Sequence, residues 1–356
     1  MRGFSLSPGL GVGCTLVAIV AALAAGCGGS GNGDGKEVVL VTHDSFAIPK
    51  QVQAAFEQES GLELTILQGG DAGEVVNRAL LTRGDPQGDV LFGIDNNLLS
   101  RGLDEGLFEP YEAKGIDAVE AGYRLDPMHN LTPVDHADVC LNVDRMWFSS
   151  RGIPPPTSLD DLTNARYRKL LVVENPATST PGLAFMLATI ARFGANGWQD
   201  YWRRLRANDV LVVDGWEEAY TARFSGAGGS KGTRPIVVSY ATSPAAEVIF
   251  AKTPPATAPT AAVAQSCFRQ IELAGVLAGA KNVGGAHALI DFMLSERFQA
   301  AMPKSMFVLP VRTGTPLPDA FRRYAVSPAQ PLELPAAEIG RNRDRWIDEW
   351  TRVVLR

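Results

Sequence analysis

The feature that most constrains this chain of 356 residues is a grammar of short apolar runs alternating with longer amphipathic ones, set out between Glu37 and Gly93 and begun again at Lys169. Glu37 to Thr42 reads as a buried strand. Pro49 to Ser60 reads as a helix, with proline in its first turn, Val52, Ala55 and Phe56 on one face, and Gly61 ending it. Leu62 to Leu67 alternates as a second strand, Val75, Val76, Ala79 and Leu80 mark a second helix, and Asp89 to Gly93 forms a third strand leading to Asp95 as an N-cap. Parallel strands need crossover connections, so this order predicts an α/β fold built on a doubly wound, mainly parallel sheet. Ligand loops in such sheets lie at the carboxyl ends of the strands. His43-Asp44-Ser45, Gly70-Asp71 and Asp95-Asn96-Asn97 all fall at that edge.

The pattern restarts after Pro154-Pro155-Pro156, with strands expected at Lys169 to Glu174, Val210 to Val213 and Pro235 to Ser239. The chain then returns through the apolar run Gln270 to Ala278, helices around Ala286 to Met302, and a last helix carrying Trp346, Trp350 and Val353. A chain that leaves one α/β unit, completes another and comes back makes two lobes joined by crossing strands, here near Val134 to Val143 and Gln265 to Ala274. Residues 37–135 and 270–356 are assigned to lobe I and residues 136–269 to lobe II, with a cleft between them that closes by hinge motion. With 46% of residues hydrophobic, the chain can fill two such cores.

Ahead of the first strand, Arg2 precedes an apolar run from Leu16 to Ala25 that is too short to span a bilayer. Leu23-Ala24-Ala25-Gly26-Cys27 resembles a bacterial lipobox, with alanine at position 24 where many carry leucine. The expectation is a signal segment over residues 1–27, lipidation of Cys27, and a glycine-rich tether over residues 28–36. The protein is then exported, periplasmic or at the cell surface, and held to the membrane by lipid. Cys140 and Cys267 remain in the folded part, where either a disulfide or two separate buried thiols is compatible with the sequence. A net charge of −6, with lysine and arginine scattered, excludes nucleic acid as a partner.

Three kinds of residue at the expected cleft suit a small ligand. Thr178-Ser179-Thr180-Pro181 and Thr242-Ser243-Pro244 place hydroxyls at helix starts, where backbone N–H groups favour an anion, although Thr180 and Ser243 serve equally as simple caps. Trp216 and Tyr240 directly follow strands, placed to stack on a flat or cationic ring or to pack under neighbouring loops. Asp71, between glycine and Ala72, suits a positive or amino-bearing ring, and Gly-Asp-Ala-Gly is equally good turn chemistry.

Taken together, His43-Asp44-Ser45-Phe46, Asp95-Asn96-Asn97-Leu98-Leu99, Thr178-Ser179-Thr180-Pro181-Gly182-Leu183, Gly215-Trp216-Glu217-Glu218-Ala219-Tyr220 and Ser239-Tyr240-Ala241-Thr242-Ser243-Pro244 resemble, in order, the periplasmic thiamine-binding proteins of ABC importers. The resemblance runs from about Val38 to the C-terminus. It implies a two-lobed type II periplasmic-binding-protein fold that holds thiamine, thiamine monophosphate or thiamine diphosphate between the lobes and hands it to a permease and ATPase. No enzymatic activity, cofactor or metal is implied. The ligand positions it implies are Asp71, Ala72, Ser179, Thr180, Trp216, Tyr240, Ala241, Thr242 and Ser243, with His43 and Phe307 as further contacts. Ser179, Thr180 and Ser243 are assigned to the phosphate or hydroxyethyl end, Trp216 and Tyr240 to the rings, and Asp71 to the aminopyrimidine or the thiazolium charge. His43 stands where the family has tyrosine, Ala72 where it has glycine and Phe307 where it has tryptophan.

Other readings are weaker. Thiaminase I has a similar fold but needs a cysteine nucleophile, and Val139-Cys140-Leu141 reads as buried strand, where a thiol is inert. Ferric-iron binders present adjacent tyrosines, which are absent, and His43, His129, His136 and His287 lack metal-ligand spacing. A polyamine would need more cleft carboxylates than Asp44 and Asp71, and an oxyanion such as sulfate is a further solute that related folds capture. Gly226-Ala227-Gly228-Gly229-Ser230-Lys231-Gly232-Thr233 lacks the Ser or Thr after lysine that a phosphate-binding loop needs and is read as a mobile surface loop.

Overall fold

The computed structural model describes residues 35–326 and 328–356, so the signal segment, Cys27 and most of the tether lie outside the described residues. Strand β1 (Glu37–Thr42) leads to α1 (Lys50–Ser60), which Gly61 ends in the left-handed conformation, then β2 (Glu63–Gln68), α2 (Ala72–Leu81) and β3 (Val90–Asp95). Helix α3 (Leu99–Asp104) and the short β4 (Phe108–Glu109) precede β5 (Thr132–Asp144), a strand long enough to run through both lobes. The second unit holds α4 (Arg145–Arg151), β6 (Leu171–Glu174), α5 (Thr180–Ala207, broken at Gly194), β7 (Leu211–Val213), β8 (Ile236–Tyr240) and α6 (Ser243–Phe250). The return comprises β9 (Thr260–Leu277), α7 (Val283–Met293), α8 (Glu296–Ser305), β10 (Leu309–Pro310), α9 (Asp319–Tyr324) and α10 (Ala336–Val354).

These strands form one ten-stranded sheet whose main path is β2-β1-β3-β9-β5-β8-β6-β7. Its two ends, β2-β1-β3 and β8-β6-β7, are parallel, as the crossover helices require, whereas β9 and β5 join them through antiparallel pairings. The result is the expected two-lobed α/β architecture. Strands β5 and β9 cover the two segments, Val134 to Val143 and Gln265 to Ala274, that the sequence reads as crossings.

Packing closes both faces of the sheet. Helices α1, α7 and α8 bury Phe56, Phe292 and Phe298 on one face, with Phe56 and Phe292 edge to face at 5.4 Å. On the other, α10 packs on α5 and α3, and Trp350 meets Trp202 edge to face at 5.3 Å. The Trp202 ring N–H donates to Thr189 Oγ1 at 2.9 Å, so this fully buried indole leaves no donor unmet.

Cys140 on β5 and Cys267 on β9 form a disulfide, with Cα atoms 4.1 Å apart, beside a register shift between Val139 and Leu141. It ties the two crossing strands together. Three expected caps move by one to three residues. Ser179, not Thr180, is the N-cap of α5, its Oγ accepting the Gly182 N–H at 3.3 Å. Thr242, not Ser243, holds the N-cap position of α6 and makes no side-chain cap bond. Asp95 does not cap α3, which starts after Leu98; it closes the preceding turn by accepting from Asn97 and Leu98 N–H groups at 3.0 and 3.1 Å.

Candidate ligand-binding site

The carboxyl ends of β1, β7 and β8 converge with the Met306–Val308 segment around a cavity of about 510 Å³. His43, Trp216, Tyr240 and Phe307 line it together with Glu272, Glu247 and Tyr220. An adjoining cavity of about 700 Å³ shares Trp216, Tyr220, Glu247 and Phe307 and adds Ser243, Phe250 and Lys252. Both volumes suit a small organic solute.

One wall is aromatic. Trp216 stacks on Tyr220 with ring centroids 5.1 Å apart and planes at 17°, and it leans toward Tyr240 at 5.8 Å. The indole is held by its ring N–H, which donates to Ser239 Oγ at 2.9 Å; Ser239 in turn shares a 2.8 Å hydrogen bond with Ser243 Oγ. Ser243 Oγ also accepts the Tyr240 N–H at 3.2 Å, so this hydroxyl fixes both aromatic residues. Phe307 adopts a left-handed backbone, φ 60°, and sets its ring edge to face with Phe250 at 4.9 Å. A bulky residue held at positive φ marks a strained position of the kind that clusters at ligand sites.

Behind this wall a single carboxylate draws two elements together. Asp71, at the start of α2, accepts the Thr180 N–H at 3.1 Å on one oxygen and the Trp216 N–H at 3.0 Å on the other. Burial pushes its acid up to about 6, although these hydrogen bonds favour the carboxylate. The approach leaves no room for side chains: a Cβ on Gly73 would collide with the Thr178 carbonyl oxygen, and one on Gly215 would sit 3.3 Å from Asp71 Cβ. Thr180 Oγ1 accepts from Gln270 Nε2 at 3.1 Å, and the same nitrogen donates to Asp95 at 3.0 Å.

His43 enters the cavity because Gly93, at φ 108° within a bulge of β3, has no side chain; a Cβ there would lie 2.6 Å from the imidazole. Its Nδ1 pairs with Ser45 Oγ at 2.9 Å and its Nε2 stands 3.8 Å from Glu272 Oε1. Burial lowers the imidazole to about 4, which keeps it neutral at physiological pH. The floor is acidic. Glu272 on β9 and Asp135 on β5 are paired in register, Asp95 on β3 is opposite Glu272 on the other side, and burial raises all three acids.

Of the residues singled out in the sequence, His43, Trp216, Tyr240 and Phe307 share the first cavity and Ser243 lines the second. Asp71, Ala72, Ser179, Thr180, Ala241 and Thr242 are buried directly behind them and do not line either cavity. Sequence reading missed Glu272, Tyr220 and Glu247. A lone glutamate beside Gln270 in an otherwise apolar strand is the signal that was available for the first. The glycine-rich segment read as a surface loop is also part of the site: Gly228 and Gly229 line both cavities, and the Gly228 N–H donates to Glu247 Oε2 at 2.8 Å.

The fold and cleft are those of a two-lobed solute-capturing protein, and the family comparison agrees. Residues 85–336 match the family described as bacterial extracellular solute-binding protein, and the chain belongs to that family. It is similar to the thiamine-binding periplasmic proteins of Escherichia coli (strain K12), 31% identical over 325 residues covering 90% of this chain and 94% of the relative, and of Brucella abortus biovar 1 (strain 9-941), 30% identical over 332 residues covering 90% and 92%. Among solved structures, a periplasmic thiamin binding protein superposes with a TM-score of 0.78 at 29% identity, covering 90% of this chain and 96% of that one. Iron-bound HitA from Pseudomonas aeruginosa, at 18% identity and a TM-score of 0.68 over 89% and 99% of the two chains, shares the fold. A binding protein, not an enzyme, is what this family membership defines, exported for solute capture.

Proposed function

We propose that this protein captures thiamine, or its mono- or diphosphate, in the cleft and delivers it to the permease and ATPase subunits of an ABC importer. The observation that carries this reading is the convergence, in one cavity, of a stacked Trp216–Tyr220 pair, Tyr240 and a buried acidic floor. A flat cationic heterocycle satisfies both: ring faces attract a cation, and nearby carboxylates compensate its charge. Trp216, Tyr240, His43 and Phe307 enclose the rings. The hydroxyethyl or phosphate end extends toward Ser243 at the start of α6, where helix N–H groups and Lys252 favour an anion. Asp71, Ala72, Ser179, Thr180, Ala241 and Thr242 support that surface from behind, with Asp71 adding negative charge beneath the ring.

Residues 37–135 with 270–356, and residues 136–269, act as lobes that close on the ligand about β5 and β9. Lipidation of Cys27 holds the protein at the membrane. A thiaminase-like activity is disfavoured because Cys140 is bonded to Cys267 and supplies no thiolate.

Thermal unfolding with thiamine, its two phosphates, spermidine or ferric iron tests the ligand. A ligand at about a hundred times its dissociation constant adds roughly 2.7 kcal/mol of stability. The thiamine set alone raises Tm; a shift only with spermidine or iron overturns the reading.

A further inference from the structure

Glu272 stands between the cavity and Asp135. It lines the cavity beside His43, and its register partner Asp135 lies behind it on β5, fully enclosed. Both Asp135 carboxyl oxygens lack a hydrogen-bond donor among the described side chains and backbone, which is anomalous for a fully buried carboxylate. A proton on Glu272 directed at Asp135 supplies the missing donor. No lysine or arginine pairs with either acid among the described residues; His43, kept neutral by burial, stands 3.8 Å from Glu272.

The groups facing this pair from each surrounding element are mostly acidic or uncharged. Asp95 on β3 is committed to Asn97, Leu98 and Gln270. Asp71 at the start of α2 holds Thr180 and Trp216, and Tyr240 on β8 presents a phenol kept neutral by burial. Glu174 at the end of β6 is buried with neither carboxyl oxygen bonded. On β9 itself, Gln270 is uncharged, and Arg269 is spent on Asp138 of β5. His136, next to Asp135, stacks on Tyr123.

We infer that Glu272 is a specificity-determining residue whose acid pair with Asp135 is proton-bound in the empty cleft and releases that proton to solvent when a cation enters. Each binding event then exchanges one proton for one cationic ligand, so the pair carries one negative charge in the empty cleft and gains a second only beneath a positive guest. Neutral analogues gain nothing from the exchange. This inference rests on the proposed cationic ligand.

Isothermal titration of the intact protein with thiamine at pH 7, in phosphate and in Tris, counts protons from the difference in heat. The expected result is release of between about half and one proton, with affinity rising up to about tenfold per pH unit between pH 5 and pH 7. Glu272→Gln abolishes both the release and the slope. Asp135→Asn removes the like charge and moves the slope to lower pH, which locates the pair even where Glu272→Gln fails to fold. Equal heats in both buffers with a pH-independent affinity overturn the inference while leaving thiamine as ligand, as does undiminished release in Glu272→Gln. Absence of binding heat in both buffers, confirmed by an unchanged Tm, overturns the ligand and the inference with it.

Discussion

Asp71 and Trp216 are joined by a 3.0 Å hydrogen bond from the tryptophan backbone N–H to the aspartate carboxylate, 145 residues apart in sequence. That bond sets the aromatic wall of the cavity against the start of α2. The second Asp71 oxygen, on Thr180, anchors the start of α5 at the same point. One carboxylate thereby fixes the starts of α2 and α5 and the loop after β7 against one another.

Removing it should therefore loosen the wall. Hydrogen bonds to charged groups contribute about 1.5–3 kcal/mol each, offset here by the cost of burying the carboxylate. Asp71→Ala is expected to weaken thiamine binding roughly tenfold or more, at about 1.4 kcal/mol per decade. Asp71→Asn, which keeps one acceptor, falls between it and the parent when measured by titration calorimetry.

The aromatic contribution separates into two parts. Trp216→Ala removes a ring face worth about 0.5–2 kcal/mol toward a cation. Trp216→Phe keeps a smaller face and loses only the hydrogen bond to Ser239 Oγ. Binding should weaken in the order parent, Phe, Ala, as followed by quenching of intrinsic fluorescence; equal losses in both variants would locate the effect in the Ser239 bond instead.

The buried acids predict an unusual pH dependence of stability. Asp71 and Asp95 are raised to about 6, Asp135 to about 7, and Glu272 and Glu174 well above the carboxylate range, all chiefly by burial. An acid raised in the fold contributes stability that is present at low pH and lost as pH rises through its folded value. His43, lowered to about 4, and His136, lowered to about 3, work the other way, losing stability as pH falls below about 6.5. The acids outnumber the imidazoles, so ligand-free Tm should be several degrees higher at pH 5.5 than at pH 8, at roughly 2 °C per kcal/mol for a chain of this size. Calorimetry at the two pH values checks the sign.

The disulfide gives a further expectation. Cys140 and Cys267 are 127 residues apart, and closing a loop of that size restrains the unfolded chain by about 2–5 kcal/mol. The Cys140→Ala, Cys267→Ala double variant should unfold at correspondingly lower denaturant concentration, and reductant should destabilise the parent but not the variant.

Much of this architecture is written locally. Hydrophobic periodicity, Gly61 and Pro181 mark strands and helices without tertiary information, and Trp216 and Tyr240 stand out by following strands. What is not legible depends on pairing between distant segments. Cys140 and Cys267 meet only because β5 and β9 are neighbours, and Glu272 is disguised as a core position until the register sets it against Asp135 and Asp95. Asp71 is legible in the sequence as a candidate, but its partners are backbone N–H groups of remote loops, which carry no side-chain signature. The glycine segment 226–233 reads as surface because its restraints, among them the hydrogen bond from Gly228 N–H to Glu247 and the packing of Ala227 in a cluster with Val213 and Phe224, come from other elements.

Recognition of a flat cation by aromatic faces over an acidic floor is tested most directly by comparing thiamine with its isostere in which a neutral thiophene replaces the thiazolium. Their dissociation constants, measured side by side at pH 7, should favour thiamine by about tenfold or more, the worth of one cation–ring contact or better. Equal affinity for the charged and neutral rings would contradict the account.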